Sequence, residues 1–288
     1  MTRDSASALE GEREELRRIL YEGRAVWVRA DGEDLRLGDG RTIRASEAIH
    51  LPPCEPTKIL AIHLNYPSRR IEFGVERGQS PTYFQKPTTA LNSHGGAIPR
   101  PANVKYLNYE GELAVVIGSP MRGVAREDVW RHIAGFAPAN DVGAQDFRDT
   151  DAGGMTRVKG MDGFCPIGPG LVRGVDVRHA PIRTCINGKV VQQGNISEMD
   201  FPIDYLLADL SRHITLLPGD VLLSGTPANS RPMENDDVVE VEIEGVGRLW
   251  NRVVEIPAPA QAVGHQPTDS TNVRAVALGH GRRGGMTQ

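Results

Sequence analysis

From Lys58 onward, short segments rich in β-branched and apolar residues recur at close spacing. "TKILAIHLNY", "PTYFQKP", "GELAVVIG", "LVRGVDV", "RTCINGKVV", "DVLLSGTP", "DVVEVEIEG" and "RLWNRVVEI" all read as strands separated by Gly/Pro turns. Asn187-Gly188 is a strong two-residue hairpin signal. Three stretches read as helices instead. Residues 5–20 carry Leu9, Leu16, Ile19 and Leu20 along one stripe, and "REDVWRHIAGF" places Val129, Ile133 and Phe136 near one face. "FPIDYLLADLSRHI" has Pro202 near its start, where proline is tolerated. Many strands and few helices predict a mainly β architecture with α elements, an α+β class, closing on itself.

The same patterning divides the chain. "RAVWVRA", "DLRLGDG" and "RTIRA" predict short strands ahead of the proline-rich "HLPPCEP", so a small N-terminal domain spans residues 1–53 and the main domain 54–257. Residues 258–288 are poor in bulky apolar side chains and rich in Gly, the composition of a disordered tail.

Composition narrows the function classes. A net charge of −4 over 288 residues gives no electrostatic reason for nucleic acid or an anionic membrane as partner. No apolar run approaches the roughly 20 residues of a membrane helix. Met1 is followed by a polar segment rather than a signal peptide, so a cytoplasmic location is expected. Three dispersed cysteines, Cys54, Cys165 and Cys185, form neither a disulfide framework nor a zinc knuckle.

The chemistry lies in "YEGELAVVIG". On a strand, Glu110 and Glu112 share a face with Ala114 and Val116, about 7 Å apart, while Leu113, Val115 and Ile117 take the other. Like charges so close repel, and burial makes each costlier. Three arrangements resolve this: an edge strand facing water, neutralising arginines, or a divalent cation held between the acids. A hard cation such as Mg²⁺ or Mn²⁺ selects carboxylate oxygens. Asp141 in "GFAPANDVGAQDF" offers a further acid, and Lys159 in "RVKGMDGFCPIGP" a balancing cation. Lys86, ending a strand expected beside the acidic one, and Thr226 in "SGTP" are candidates for a substrate carboxylate. His63 fits a core position. His94 lies in a loop, and His132 and His213 read as surface residues.

In order along the chain, "E-G-E", "ND", the lysine preceding "DGFCPIGP", and "LLSGTP" resemble the fumarylacetoacetate hydrolase superfamily over Lys58 to Glu255. The resemblance implies a mixed β-roll with a small N-terminal domain, usually a homodimer. It also implies one Mg²⁺ or Mn²⁺ per subunit on Glu110, Glu112 and Asp141, with Lys159 beside them. Substrates of that superfamily are short 2-oxo acids, whose paired oxygens chelate a metal that stabilises an enolate.

The lid "HLNYPSRRIEFG" differs from hydrolytic members. Arg69 stands where their water-activating histidine does, and Arg is no base at neutral pH. The segments "LNYPSR", "YFQKP" and "IAGFAPANDV" look closest to the homoprotocatechuate-pathway branch, which isomerises 2-hydroxyhepta-2,4-diene-1,7-dioate and decarboxylates 5-oxopent-3-ene-1,2,5-tricarboxylate. The expectation is therefore an isomerase or decarboxylase using Lys159 and a Glu72 proton shuttle, with Glu72 pairing to Arg69 or Arg70 as the alternative. Tyr66, Arg69, Lys86, Gln145, Arg148 and Thr226 are expected to meet substrate. Gln145 replaces a frequent arginine, a loss that Arg148 and Arg157 can offset. An acylpyruvate-type C–C hydrolase with another base, and a non-catalytic 2-oxo acid binder, are the rival readings.

Overall fold

The computed structural model describes residues 7–151, 153–261 and 263–279. The spine of the larger sheet orders strands Glu14–Tyr21, Gly170–Arg173, Ile133–Asn140, Gly111–Ile117, Val221–Leu223, Ile59–Ile62 and Tyr83–Lys86. A second sheet orders Lys189–Asn195, Pro181–Ile186, Val238–Ile243, Gly247–Ile256 and Ala97–Pro101. Both are mixed: Val221–Leu223 runs parallel to Ile59–Ile62, and Gly247–Ile256 parallel to Ala97–Pro101. Four α-helices accompany them among the described residues: α1 (Pro67–Phe73), α2 (Thr156–Lys159), α3 (Ile203–His213) and α4 (Thr271–Leu278). None among the described residues is long and apolar enough to cross a membrane. The chain is an α+β protein dominated by strands.

The strand Gly111–Ile117 lies at the centre and is buried throughout. Leu113, Val115 and Ile117 enter one apolar cluster with Phe136 and Leu206, while Ala114 and Val116 enter another with Ile59 and Ala137. It pairs antiparallel with Ile133–Asn140 on one side and Val221–Leu223 on the other. An exposed edge is thus ruled out for its glutamates.

Helix α3 forms as patterned, burying Ile203, Leu206, Leu207, Leu210 and Ser211 at helical spacing. The hairpin at Asn187-Gly188 forms too, both residues at positive φ as a type I′ turn requires. Two expected helices do not. Within 5–20, residues Glu14–Tyr21 are a strand, in a hairpin with Arg24–Asp31 through Glu22-Gly23, at φ +49° and +75°. That strand also pairs with Gly170–Arg173, so hydrogen bonds on both edges outweigh a helical apolar stripe. It joins the N-terminal strands to the larger sheet, although they keep a small core of their own around Ile19, Val28 and Leu35.

In "REDVWRHIAGF", a 3₁₀ segment Arg126–His132 gives way to strand at Ile133. Gly135 permits this crossing, because a Cβ there would lie 2.6 Å from the Val172 carbonyl oxygen.

The disorder expected after residue 257 does not hold at α4. Ser270 caps it by accepting from the Val273 N–H at 3.1 Å, and Val273 and Ala277 pack on Tyr106. The expected tail beyond Gly279 lies outside the described residues.

Candidate metal centre and substrate cavity

Antiparallel pairing assembles the acids. Gly111 registers with Asn140, and the Asp141 N–H donates to the Glu110 carbonyl at 2.8 Å. Residues far apart in sequence thereby place Glu110, Glu112 and Asp141 with one carboxylate oxygen each within 4.8 Å of the others. An Asn140 Oδ1 acceptor holds the Glu110 N–H at 2.9 Å, and Gln192 Oε1 holds the Gly111 N–H at 3.2 Å. Backbone on both sides of Glu110 is therefore fixed before any ligand arrives.

Cations surround two of the acids but not the third. Lys159 Nζ donates to Glu110 Oε2 and to the Asp141 carbonyl, both at 2.7 Å, and sits 2.9 Å from Asp141 Oδ2. Helix α2 delivers it. Asp151 accepts from the N–H groups of Arg157 and Val158 at the start of that helix, at 2.5 and 2.9 Å. Gly143 leaves the space its stem needs, since a Cβ there would come within 3.1 Å of Lys159 Cε. Lys86 binds the other oxygen of Asp141, and Arg69 Nη2 reaches Glu110 Oε1 at 3.1 Å.

Glu112 has instead a single N–H donor, from Gly225 at 2.7 Å, and no ion-pair partner among the described residues. Gly225 can approach because it sits at φ +95°, with Asn65 Cβ 2.7 Å from where its own Cβ would be.

Proton affinities follow. Burial, then the charges of Asp141 and Glu110, push Glu112 well above the usual carboxylate range. Burial also opposes the charge on Asp141, but Lys159 and Lys86 outweigh it and hold Asp141 low. Lys159 is likewise kept protonated: burial disfavours its charge, yet Asp141 and Glu110 raise it above an ordinary lysine. A buried carboxylate without a cation, closing a group of hard oxygen donors, fits a divalent metal ion.

These acids line a cavity of about 800 Å³, together with Arg69, Gln145, Arg148, Lys159 and Thr226. Thr226 Oγ1 accepts from Gln192 Nε2 at 3.0 Å, leaving its hydroxyl proton free to donate. Gln145 Oε1 is buried with no hydrogen-bond partner. Three expected site residues lie elsewhere. Tyr66 is fully buried in the core, because α1 begins at Pro67 and turns it inward. Lys86 is also fully buried, its ammonium committed to Asp141 and the Val142 carbonyl from behind the cavity. Glu72 does not face the cavity either. Its oxygens meet Arg69 at 2.5 Å, Arg231 at 2.6 Å and the Asn229 N–H at 3.2 Å. Glu72 is thus paired with Arg69, the arrangement expected as the alternative to a proton shuttle.

His63 is the converse case. It does line the cavity, where burial, then the charges of Arg148 and Lys159, lower it to about 4. Its strand-end position resembles a core histidine in sequence, and only the opening of the sheet beside α1 exposes it. His94 instead stacks edge-on against His50 and Trp250. Asn65, which sequence reading passed over, ties the root of α1 to the Phe201 backbone and the Ser224 carbonyl.

Comparison with known proteins agrees with this geometry. Residues 58–254 match the fumarylacetoacetate (FAA) hydrolase C-terminal family. A 4-hydroxyphenylacetate degradation bifunctional isomerase/decarboxylase of Salmonella dublin is 35% identical over 68% of this chain and 46% of its own length. A mitochondrial oxaloacetate tautomerase of Rattus norvegicus is 34% identical over 70% of this chain and 68% of its own. The solved structure of 2-hydroxyhepta-2,4-diene-1,7-dioate isomerase from Mycobacterium marinum superimposes with a TM-score of 0.77 at 34% identity, covering 84% of this chain and 98% of that one. On fold, acid group and matched span alike, the chain belongs to the fumarylacetoacetate hydrolase family.

Proposed function

We propose that this chain is a Mg²⁺- or Mn²⁺-dependent isomerase or decarboxylase of an unsaturated 2-oxo or 2-hydroxydienoic acid. One observation carries the reading: a strand-held group of three acids faces a lid whose inward residue is an arginine bonded to Glu110. An arginine cannot take a proton from water at neutral pH, so the site lacks a water-activating base at that position. The named isomerase, decarboxylase and tautomerase relatives support the same class.

Glu110, Glu112 and Asp141 would hold the cation, which when bound supplies Lewis-acid polarisation of a 2-oxo acid. The protein's own groups do the rest. Lys159 is a fixed positive charge with its donors already used, so it orients Glu110 and Asp141 rather than moving protons. Thr226 donates its hydroxyl to a substrate carboxylate, and Gln145 and Arg148 bind polar groups further along the chain. His63, neutral at pH 7, takes the shuttle role that Glu72 is too heavily paired to fill. Its Nδ1 lies 3.4 Å from Thr82 Oγ1, and the tautomer that donates from Nδ1 to that oxygen has Nε2 unprotonated and able to accept a proton.

The test is to supply the Mg²⁺-loaded chain with oxaloacetate, an acylpyruvate and a 2-hydroxydienoate, following absorbance and CO₂ release. Tautomerisation or decarboxylation faster than acylpyruvate cleavage is expected. Dominant acylpyruvate cleavage would replace the reading with a C–C hydrolase. No turnover together with no detectable metal binding would leave a 2-oxo acid binding protein.

A further inference from the structure

The family match ends at residue 254, yet α4, beyond it, reaches the cavity. Its Val276 is a lining residue. The helix is docked by polar contacts along its length. Asp269 pairs with Lys105 at 2.9 Å and accepts from Tyr106 Oη at 2.7 Å. Asn272 Nδ2 donates to Asp149 at 2.6 Å, and Asn108 Nδ2 donates to the Ala277 carbonyl at 2.9 Å. Thr268 N–H donates to the Asp146 carbonyl at 2.9 Å, so α4 also braces the turn that presents Gln145.

The far end of the helix meets the lid. Gly279 closes α4 at φ +70°, and a Cβ on it would fall 2.3 Å from Glu72 Oε1 and 2.4 Å from Arg231 Nη1. Glu72 belongs to α1 and grips Arg69, which in turn holds Glu110. A continuous set of contacts therefore runs from α4 through the lid helix to the acid group.

We propose that α4 is a specificity element that walls the cavity with Val276 and clamps α1 closed through Glu72 and Arg231. The substrate class follows, resting on the 2-oxo acid reading above. Val276 limits how far a 2-oxo acid can extend from its chelating end, so short acids are favoured over long ones. The clamp itself needs no substrate, and is tested separately.

Val276→Ala and Val276→Phe should move the ratio of kcat/KM for a long unsaturated 2-oxo acid over oxaloacetate in opposite directions, about tenfold up and about tenfold down. A ratio that moves in neither variant overturns the wall. For the clamp, amide hydrogen exchange of residues 67–73 is compared between the unaltered full chain and Val273→Asp, which unseats α4 from its small cluster with Tyr106 and Ala277. Exchange in α1 should rise about tenfold while that in Gly111–Ile117 stays slow. Asp269→Ala, a milder undocking, should raise it by less. If α4 amides exchange faster in both variants but those of α1 do not, the clamp is refuted. Should no 2-oxo acid be turned over, the functional reading falls, and hydrogen exchange alone decides α4.

Discussion

The two sides of the cavity are built by different physics. On the acidic side, Glu112 lies in a strand paired on both edges, Glu110 and Asp141 directly adjoin strand ends, and the neighbouring backbone N–H groups are accounted for. On the lid side, α1 is a seven-residue helix held by ion pairs: Arg69 to Glu110 at 3.1 Å, Glu72 to Arg231 at 2.6 Å, and Arg70 to Asp200 at 2.5 and 3.2 Å. Strand ladders fix geometry to fractions of an ångström and open only with the core. Ion pairs on a short helix break one at a time, without opening the core. Such a division suits a site that must hold charges still while admitting and releasing a substrate.

Removing an acid from the rigid side should have the largest effect. Glu110→Gln is expected to weaken Mn²⁺ binding at least about 100-fold with the fold intact, as read by titration calorimetry. Unaltered affinity would refute the ligand assignment. Next comes the proposed shuttle. His63→Gln should lower kcat by about 100-fold while Mn²⁺ binding stays the same, in keeping with general acid–base contributions. If kcat is unchanged, His63 merely lines the wall.

Gly225→Ala probes the rigid side through stability. It forces a Cβ into the left-handed region and onto Asn65, so a loss of about 1–3 kcal/mol in urea unfolding is expected. A near-neutral result would mean that the acidic side is softer than its hydrogen bonding implies. Asp200→Asn probes the lid and should be gentler. It weakens the Arg70 latch, raising KM severalfold with kcat nearly constant and unfolding free energy shifted by less than about 1 kcal/mol. A large fall in stability would erase the distinction between the two sides.

A pH slope lies away from both sides of the cavity. His94 is lowered to about 3 by burial, then by the charges of His50, Arg17 and Arg248. The unfolded chain binds its proton near 6.5 and the folded chain does not, so stability present above pH 6.5 is lost as pH falls towards 3. His94→Phe should flatten that part of the profile in thermal melts at pH 7, 6 and 5. A wild-type slope retained in the variant would assign acid sensitivity to other groups.

Reading the acids from sequence worked because strand alternation is a local rule. Two glutamates two positions apart on a strand share a face whatever the strand's neighbours, and the same-face repulsion already demanded a counter-charge. The hairpin at Asn187-Gly188 and helix α3 were equally local, set by turn chemistry and a helical apolar stripe. Local signals misled where a second edge competed. Glu14–Tyr21 has a plausible helical stripe, but its hydrogen bonds go to Arg24–Asp31 and Gly170–Arg173. The tail looked too poor in apolar residues to order, because α4 needs only Val273 and Ala277 against Tyr106 once polar contacts tether it.

Within the site, residue type announced charge but not partner. Lys86 and Tyr66 fit substrate contacts and Glu72 a proton shuttle, yet each is engaged by a neighbour or by the core. His63 sits in an apolar pattern that fits a core position, and the opening beside α1 interrupts that pattern. By itself, then, the sequence determined that three acids and a lysine must be reconciled, and that Arg69, which is no base at neutral pH, follows Asn65-Tyr66. The tertiary structure alone decided which cation satisfies which acid, and that Glu112 is left without one. The reason is physical: side-chain face and turn geometry depend on neighbours in sequence, whereas charge compensation in a buried site depends on distance, which only the closed fold sets.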